Sequence, residues 1–188
     1  MDSKQKILDG LRRLLLNQGH QGLSIRALAN EAGVNHGLVH HYFGSKEGAI
    51  KALMDQVTTE KLQQVIQRIQ TGPTEEITEA FVDLWIKDED FGRLILEFNY
   101  LGTLYPQINL AIQEITQQRR YFLTQVFGLE ESEALLFQSV IVGIQLLRRE
   151  LPVSQVEEAA NELFRIYPLG ERFNPDKLKA MVVALGAG

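Results

Sequence analysis

The stretch GVNHGLVHHYFGSKEG, residues 33 to 48, gathers His36, His40 and His41, three of the chain's four histidines, beside Tyr42 and Phe43 and among four glycines. Such a cluster can ligate a metal, fill a core, or present hydrogen-bonding groups to a partner. His36 and His40 are four residues apart, so a helix puts both rings on one face, as in a zinc protease motif. That motif needs a glutamate beside the first histidine as general base; Gly37 stands there, and no third ligand is at hand in the stretch. A metal site is not expected, and no motif calls for a cofactor. The reading that remains is a surface built to lie against something, with simple solvent exposure as the alternative for His41.

Local signals say which elements hold that surface. Ser24 is a helix N-cap, Ile25, Leu28 and Ala32 repeat at helical spacing, and Gly33 offers a left-handed stop. After Val34, Asn35 caps a short helix from His36 to about Tyr42. Two helices across so tight a turn make a helix-turn-helix, and the second presents its free face outward. That face carries His36, Gly37, His40 and Tyr42, while Val34, Val39 and Phe43 turn inward. Polar reach combined with a residue lacking a side chain suits close approach to a DNA major groove. Lys46 follows the cap Ser45, in the first turn of the next helix, where its charge opposes the helix dipole and a bound phosphate would explain it. A solvated lysine is the alternative. Arg26 is placed to reach a phosphate or a guanine edge.

The rest of the chain reads as helices as well. Apolar residues recur at helical spacing nearly throughout, with no sustained alternation, so the fold class is all-α. The first helix buries Ile7, Leu8, Leu11, Leu14 and Leu15 and stops at Gly19; a long fourth runs from Lys46 to about Ile69, where TGP ends it. Further helices are predicted over about 74–87, 89–101, 107–127, 131–149, 154–166 and 175–185, the last opened by Asn174-Pro175.

Composition sets the outer bounds. The chain has 188 residues, 45% of them apolar and 23% charged, and no cysteine, which excludes disulfides and thiolate chemistry. No apolar run approaches the roughly 18 residues of a membrane helix, and the start lacks a signal-peptide core, so a cytoplasmic protein with no membrane partner is expected. The net charge of −5 is unevenly spread. Residues 1–57 hold seven Lys/Arg against five Asp/Glu, a surplus of two, and residues 58–188 hold twelve against nineteen, a deficit of seven. That asymmetry suits a module for an anionic partner joined to an acidic body.

The run ILDGLRRLLLNQGHQGLSIRALANEAGVNHGLVHHYFGSKEGAIKALM resembles the N-terminal module of the TetR family of transcriptional regulators. GLSIRALANEAGV, the short helix ending in HYF, and SKEG match it in order, content and spacing over residues 7 to 54. The resemblance implies a three-helix DNA-binding domain over 1–45 and a ligand-binding and dimerisation domain over 46–188, joined by the helix 46–69. It further implies that Tyr42, His40 and Lys46 hold phosphates of double-stranded DNA while Arg26, His36, Gly37 and Leu38 face base edges. His40 departs from the family's usual tyrosine, which makes that contact sensitive to pH. Asn35-His36-Gly37 replaces the common Ser-Lys-Gly or Ser-Arg-Gly, so base preference is not carried over.

One short recognition helix reads few base pairs, so a homodimer on paired half-sites is expected. Leu136, Ser139, Val140, Gly143 and Leu147 form one candidate seam, and Val156, Ala159, Ala160 and Leu163 another. An internal core stripe is the alternative; the resemblance points to the same two helices as the dimer interface. Between residues 81 and 122 the chain concentrates aromatics around Glu97 and Asn99, either as a plain core with those two on its solvent side or as an apolar cavity with polar handles. Helical phase favours the solvent side for Glu97. The resemblance implies a pocket here, with Trp85, Phe98, Tyr105, Tyr121 and Phe122 as lining candidates and a small, largely apolar effector. The function implied is repression relieved by ligand, with activation as its alternative. An enzyme is not expected, since the carboxylates at 88–90 read as a solvated helix junction and no nucleophile motif is present. A helical binding module without DNA is the competing class, opposed by Lys4, Lys6, Arg26, Lys46 and Lys51.

Overall fold

The computed structural model describes residues 2–73 and 76–186, with side chains to residue 183, and among these every regular element is helical. The α-helices are α1 (Ser3–Gln18), α2 (Ile25–Ala32), α3 (His36–Phe43), α4 (Lys46–Thr71), α5 (Ile77–Phe81), α6 (Glu89–Leu104), α7 (Pro106–Phe127), α8 (Glu131–Leu147), α9 (Val153–Ile166), α10 (Leu169–Arg172) and α11 (Pro175–Gly186). The chain divides into two compact units, 1–60 with 90–114, and 61–89 with 115–188, so α4 and α7 each contribute to both.

In the first unit, α1 turns Ile7, Leu8, Leu11, Leu14 and Leu15 into a core that Leu28, Ala29, Val39, Ile50 and Leu53 complete. Gly10 is what lets α1 lie so close to α2: a β-carbon there would stand 3.0 Å from Ala32. The α6 stripe of Phe91, Leu94, Ile95, Phe98 and Leu101 is buried as its spacing predicts.

The second unit has an aromatic centre. Phe81 lies 5.6 Å from Phe127 and 6.1 Å from Phe164 between ring centroids, and Phe127 also meets Phe122 at 5.7 Å. Here the structure departs from the single helix predicted over 74–87, whose first two residues lie outside those described. After α5 the backbone widens into a π-helical segment, Val82–Lys87. Its last carbonyls are taken by the end of α8 and the residue that caps it: Gln145 donates to the Trp85 carbonyl at 2.9 Å, and Arg148 to those of Ile86 and Lys87. Gln145 is buried, and this bond satisfies it. Buried Lys61 is likewise paired, with Asp88 at 2.6 Å. The π-helical segment, α10 and the one-turn 3-10 helix His20–Gly22 are too short to print a helical period in the sequence.

Candidate nucleic-acid interface

The segment that presents α3 is fixed by short-range bonds. Ser24 Oγ accepts the Ala27 amide at 3.1 Å and opens α2; Gly33 closes it at φ 65°, ψ 37°, in the left-handed region glycine tolerates without strain. Asn35 Oδ1 then accepts the Gly37 amide at 2.9 Å and starts α3. Val39 is fully buried and keys α3 into the unit, leaving Arg26, Asn35, His36, Gly37, His40, His41 and Tyr42 exposed and Leu38 half-buried. Among the described residues Arg26 has no carboxylate partner, so its guanidinium is free for a ligand.

His40 is held in one tautomer. Its Nδ1 lies 3.1 Å from the Gly44 carbonyl oxygen, which can only accept, so the proton is on Nδ1. Nε2 then faces outward as an acceptor in the neutral ring and becomes a donor only in the imidazolium. An acceptor cannot bind phosphate, so a phosphate contact here requires the charged ring.

Ser45 Oγ accepts the Gly48 amide at 3.0 Å and starts α4. Gly48 is needed at its position because a β-carbon there would collide with the Phe43 carbonyl oxygen. Lys46 is half-buried, and its ammonium does not point freely outward: Nζ donates to the Tyr105 hydroxyl at 2.8 Å and stands 4.9 Å from that ring's centroid. Lys46 and Tyr105, which the sequence assigns to different sites, thus meet.

Glu97 also has a role the sequence reading misses. It is not turned to solvent: Oε2 accepts the His20 backbone N–H at 2.8 Å and lies 3.0 Å from His20 Nδ1, tying the turn after α1 to α6. The His20 ring lies 4.0 Å from that of Tyr100. Asn99 is exposed, with its amide bonded to the Ile95 carbonyl.

Of the pocket candidates, Phe98 is buried in the first unit; in the second, Phe122 is buried, Trp85 is half-buried and Tyr121 is exposed. Of the dimer candidates on α8, Leu136, Ser139 and Leu147 are exposed and Val140 and Gly143 half-buried. On α9, Ala159 is exposed, but Val156, Ala160 and Leu163 are buried in the second unit's own core and are not free to meet another chain. The free apolar face instead includes Leu135, Val142, Leu146 and Ile166. Among the described residues no group of three or more His, Asp or Glu side chains is placed to hold a metal, and no helix is long and apolar enough to cross a membrane.

With this geometry in place, comparison with known proteins is specific where the sequence motif is. Residues 7–53 match the family of bacterial regulatory proteins, tetR family. Over this module the chain is similar to the TetR family. The transcriptional repressor AcnR of Corynebacterium glutamicum is 38% identical over 52 residues, which is 28% of each chain, so the match spans little more than a quarter of that relative. The likeness of fold extends further than the sequence match. A Rhodococcus transcriptional regulator superposes with a TM-score of 0.75 over 88% of this chain and 95% of its own, at 17% identity. A Saccharomonospora viridis regulator in complex with choline superposes at 0.67 over 86% and 95%, at 19% identity. At such identities these structures share the fold, an N-terminal helix-turn-helix followed by a helical body. These matched proteins are transcriptional regulators.

Proposed function

We propose that the protein is a transcriptional regulator that binds a palindromic operator as a homodimer in the cytoplasm and is released by a small-molecule effector, in the manner of a repressor. The observation that carries the reading is the outward face of α3. Arg26, His36, Gly37, His40 and Tyr42 are exposed together on elements pinned by local caps, and Val39 anchors them from within. In this reading Arg26, His36, Gly37 and Leu38 meet base edges, and His40, Tyr42 and Lys46 meet phosphates.

The homodimer is supported by the exposed apolar side chains Leu135, Leu136, Val142, Leu146 and Leu147, which share one face of α8, and by exposed Ile166 on α9. Two-fold pairing through α8 and α9 gives two reading heads and hence a palindromic site, with half-sites roughly 34 to 36 Å apart or a multiple of that. Effector control is supported by the aromatic body. Effector binding shifts the DNA-competent population by its differential affinity for the two states.

Selection of random duplex DNA by the purified chain, with the salt dependence of the winners, tests this. A palindromic motif whose affinity falls steeply with salt supports the reading. No motif and negligible binding at low salt overturns it.

A further inference from the structure

The second unit contains a half-buried cation with no counter-charge among the described residues. Arg119, on α7, has its Nε withdrawn from solvent and without a hydrogen-bond partner among the described residues. Its guanidinium carbon stands 5.5 Å from the centroid of the Trp85 ring. Desolvation pushes its pKa down to about 10, so it is charged at neutral pH and poorly hydrated.

The neighbouring cations are treated differently. Lys61, which is buried, has Asp88; Arg120 has Glu131, Arg148 has Glu89, and Arg172 has Glu133. Among the described residues Arg119 has only the face of an aromatic ring. A desolvated charge without a partner is costly, and a ligand that supplies the opposite charge binds in proportion to the cost it relieves.

A second unused polar atom lies nearby. Gln138, on α8, donates from Nε2 to the Thr116 carbonyl at 3.1 Å, which leaves its Oε1 withdrawn from solvent and without a donor among the described residues. Thr116 and Arg119 are three residues apart on α7 and so share a face, which brings the orphaned acceptor to the same side of the helix as the orphaned donor. Phe122, three residues beyond Arg119, and Phe81, stacked on Trp85 at 6.5 Å between centroids, give that side an apolar wall.

We propose that Arg119, Trp85 and Gln138 form the recognition centre of an effector site for a small organic carboxylate with an aromatic or aliphatic body. The carboxylate accepts from the Arg119 guanidinium, the body packs on Trp85 and Phe122, and a hydroxyl or amine on the ligand donates to Gln138 Oε1. The assignment rests on the proposal that a small molecule controls DNA binding, and it narrows that molecule's charge. A quaternary ammonium such as the choline bound by the Saccharomonospora viridis regulator has the wrong sign for this site.

Trp85 is the chain's one tryptophan, so its emission reports on the site directly. The full chain is titrated with benzoate, salicylate, hexanoate and decanoate, with the corresponding amides, and with choline, following Trp85 fluorescence and release of the selected DNA. At least one carboxylate is expected to give a saturable change, with its amide at least about tenfold weaker and choline inert. In R119Q, checked for folding by circular dichroism, the preference for carboxylate over amide is expected to vanish, and in R119K to persist in part. The carboxylate-to-amide ratio of the unmodified chain is a test that needs no variant. Equal binding of amide and carboxylate, saturable binding of choline at Trp85, or no response to any carboxylate overturns the assignment. A carboxylate that binds at Trp85 yet leaves DNA affinity unchanged keeps the anion site and removes the effector role. Release of DNA by choline, with Trp85 silent to every carboxylate, does the reverse.

Discussion

The Lys46 ammonium donates a hydrogen bond to the Tyr105 hydroxyl at 2.8 Å across 59 residues of sequence, joining the start of α4 to the turn between α6 and α7. A lysine so held is withheld from phosphate until that bond is exchanged. Lys46→Ala is therefore expected to weaken binding to every DNA sequence alike and to reduce the slope of log affinity against log salt by about 1. Tyr105→Phe, which keeps the ring and removes the hydroxyl, is expected to tighten binding several-fold, worth about 1 kcal/mol or less, without altering sequence preference. Weaker binding by Tyr105→Phe in a salt titration would instead mean that the tyrosine presents the lysine to DNA.

The fixed tautomer of His40 makes a prediction about pH. With Nδ1–H committed to the Gly44 carbonyl, Nε2 donates to phosphate only after taking up a proton. Binding then carries proton uptake, so affinity falls as pH rises. His40→Tyr supplies a hydroxyl donor at every pH and is expected to flatten the profile, whereas His36→Ala leaves its slope in place and changes base preference. Fluorescence anisotropy of a labelled duplex at constant ionic strength distinguishes them. A profile unchanged in His40→Tyr rules out this role for the ring.

These two relationships mark what the sequence could and could not tell. Ser24, Asn35 and Ser45 cap helices through amides two or three residues away, so α2, α3 and the start of α4 can be read from neighbours alone, and with them the outward face of α3. Tyr105 on Lys46 and Glu97 on His20 are contacts across 59 and 77 residues, and no local period encodes them. On α9 the difficulty is of another kind. Val156, Ala160 and Leu163 are buried while Val153, Ala159 and Ile166, equally apolar, are exposed, and residue type alone does not say which of them the protein's own core takes.

Glu97 accepts two hydrogen bonds from His20, one of them from a backbone amide in the turn after α1. Glu97→Ala leaves that amide unpaired in a half-buried site and is expected to cost about 1 kcal/mol, or about 2 to 4 °C in thermal midpoint for a chain this size. Glu97→Gln retains an acceptor and is expected to cost less. Hydrogen exchange at the His20 amide should quicken in the alanine variant and much less in the glutamine one. An unchanged exchange rate in Glu97→Ala would show the contact to be incidental.

The exposed face of α8 gives the last prediction. A β-carbon at Gly143 meets nothing within 4 Å in its own protomer, so Gly143→Leu should leave the protomer fold intact while obstructing close approach of a second chain. Leu136, 53% exposed, should tolerate Leu136→Glu for the same reason. Both variants are expected to sediment as monomers with normal helicity and to bind a palindromic site about a hundredfold more weakly, since the second half-site no longer adds to the first. Leu163 makes the contrasting case. It is buried in the second unit's core, so Leu163→Ala is expected to lower stability by about 2 to 5 kcal/mol through cavity formation rather than through the interface. A Gly143→Leu protein that remains dimeric in sedimentation equilibrium would move the proposed interface off this face of α8.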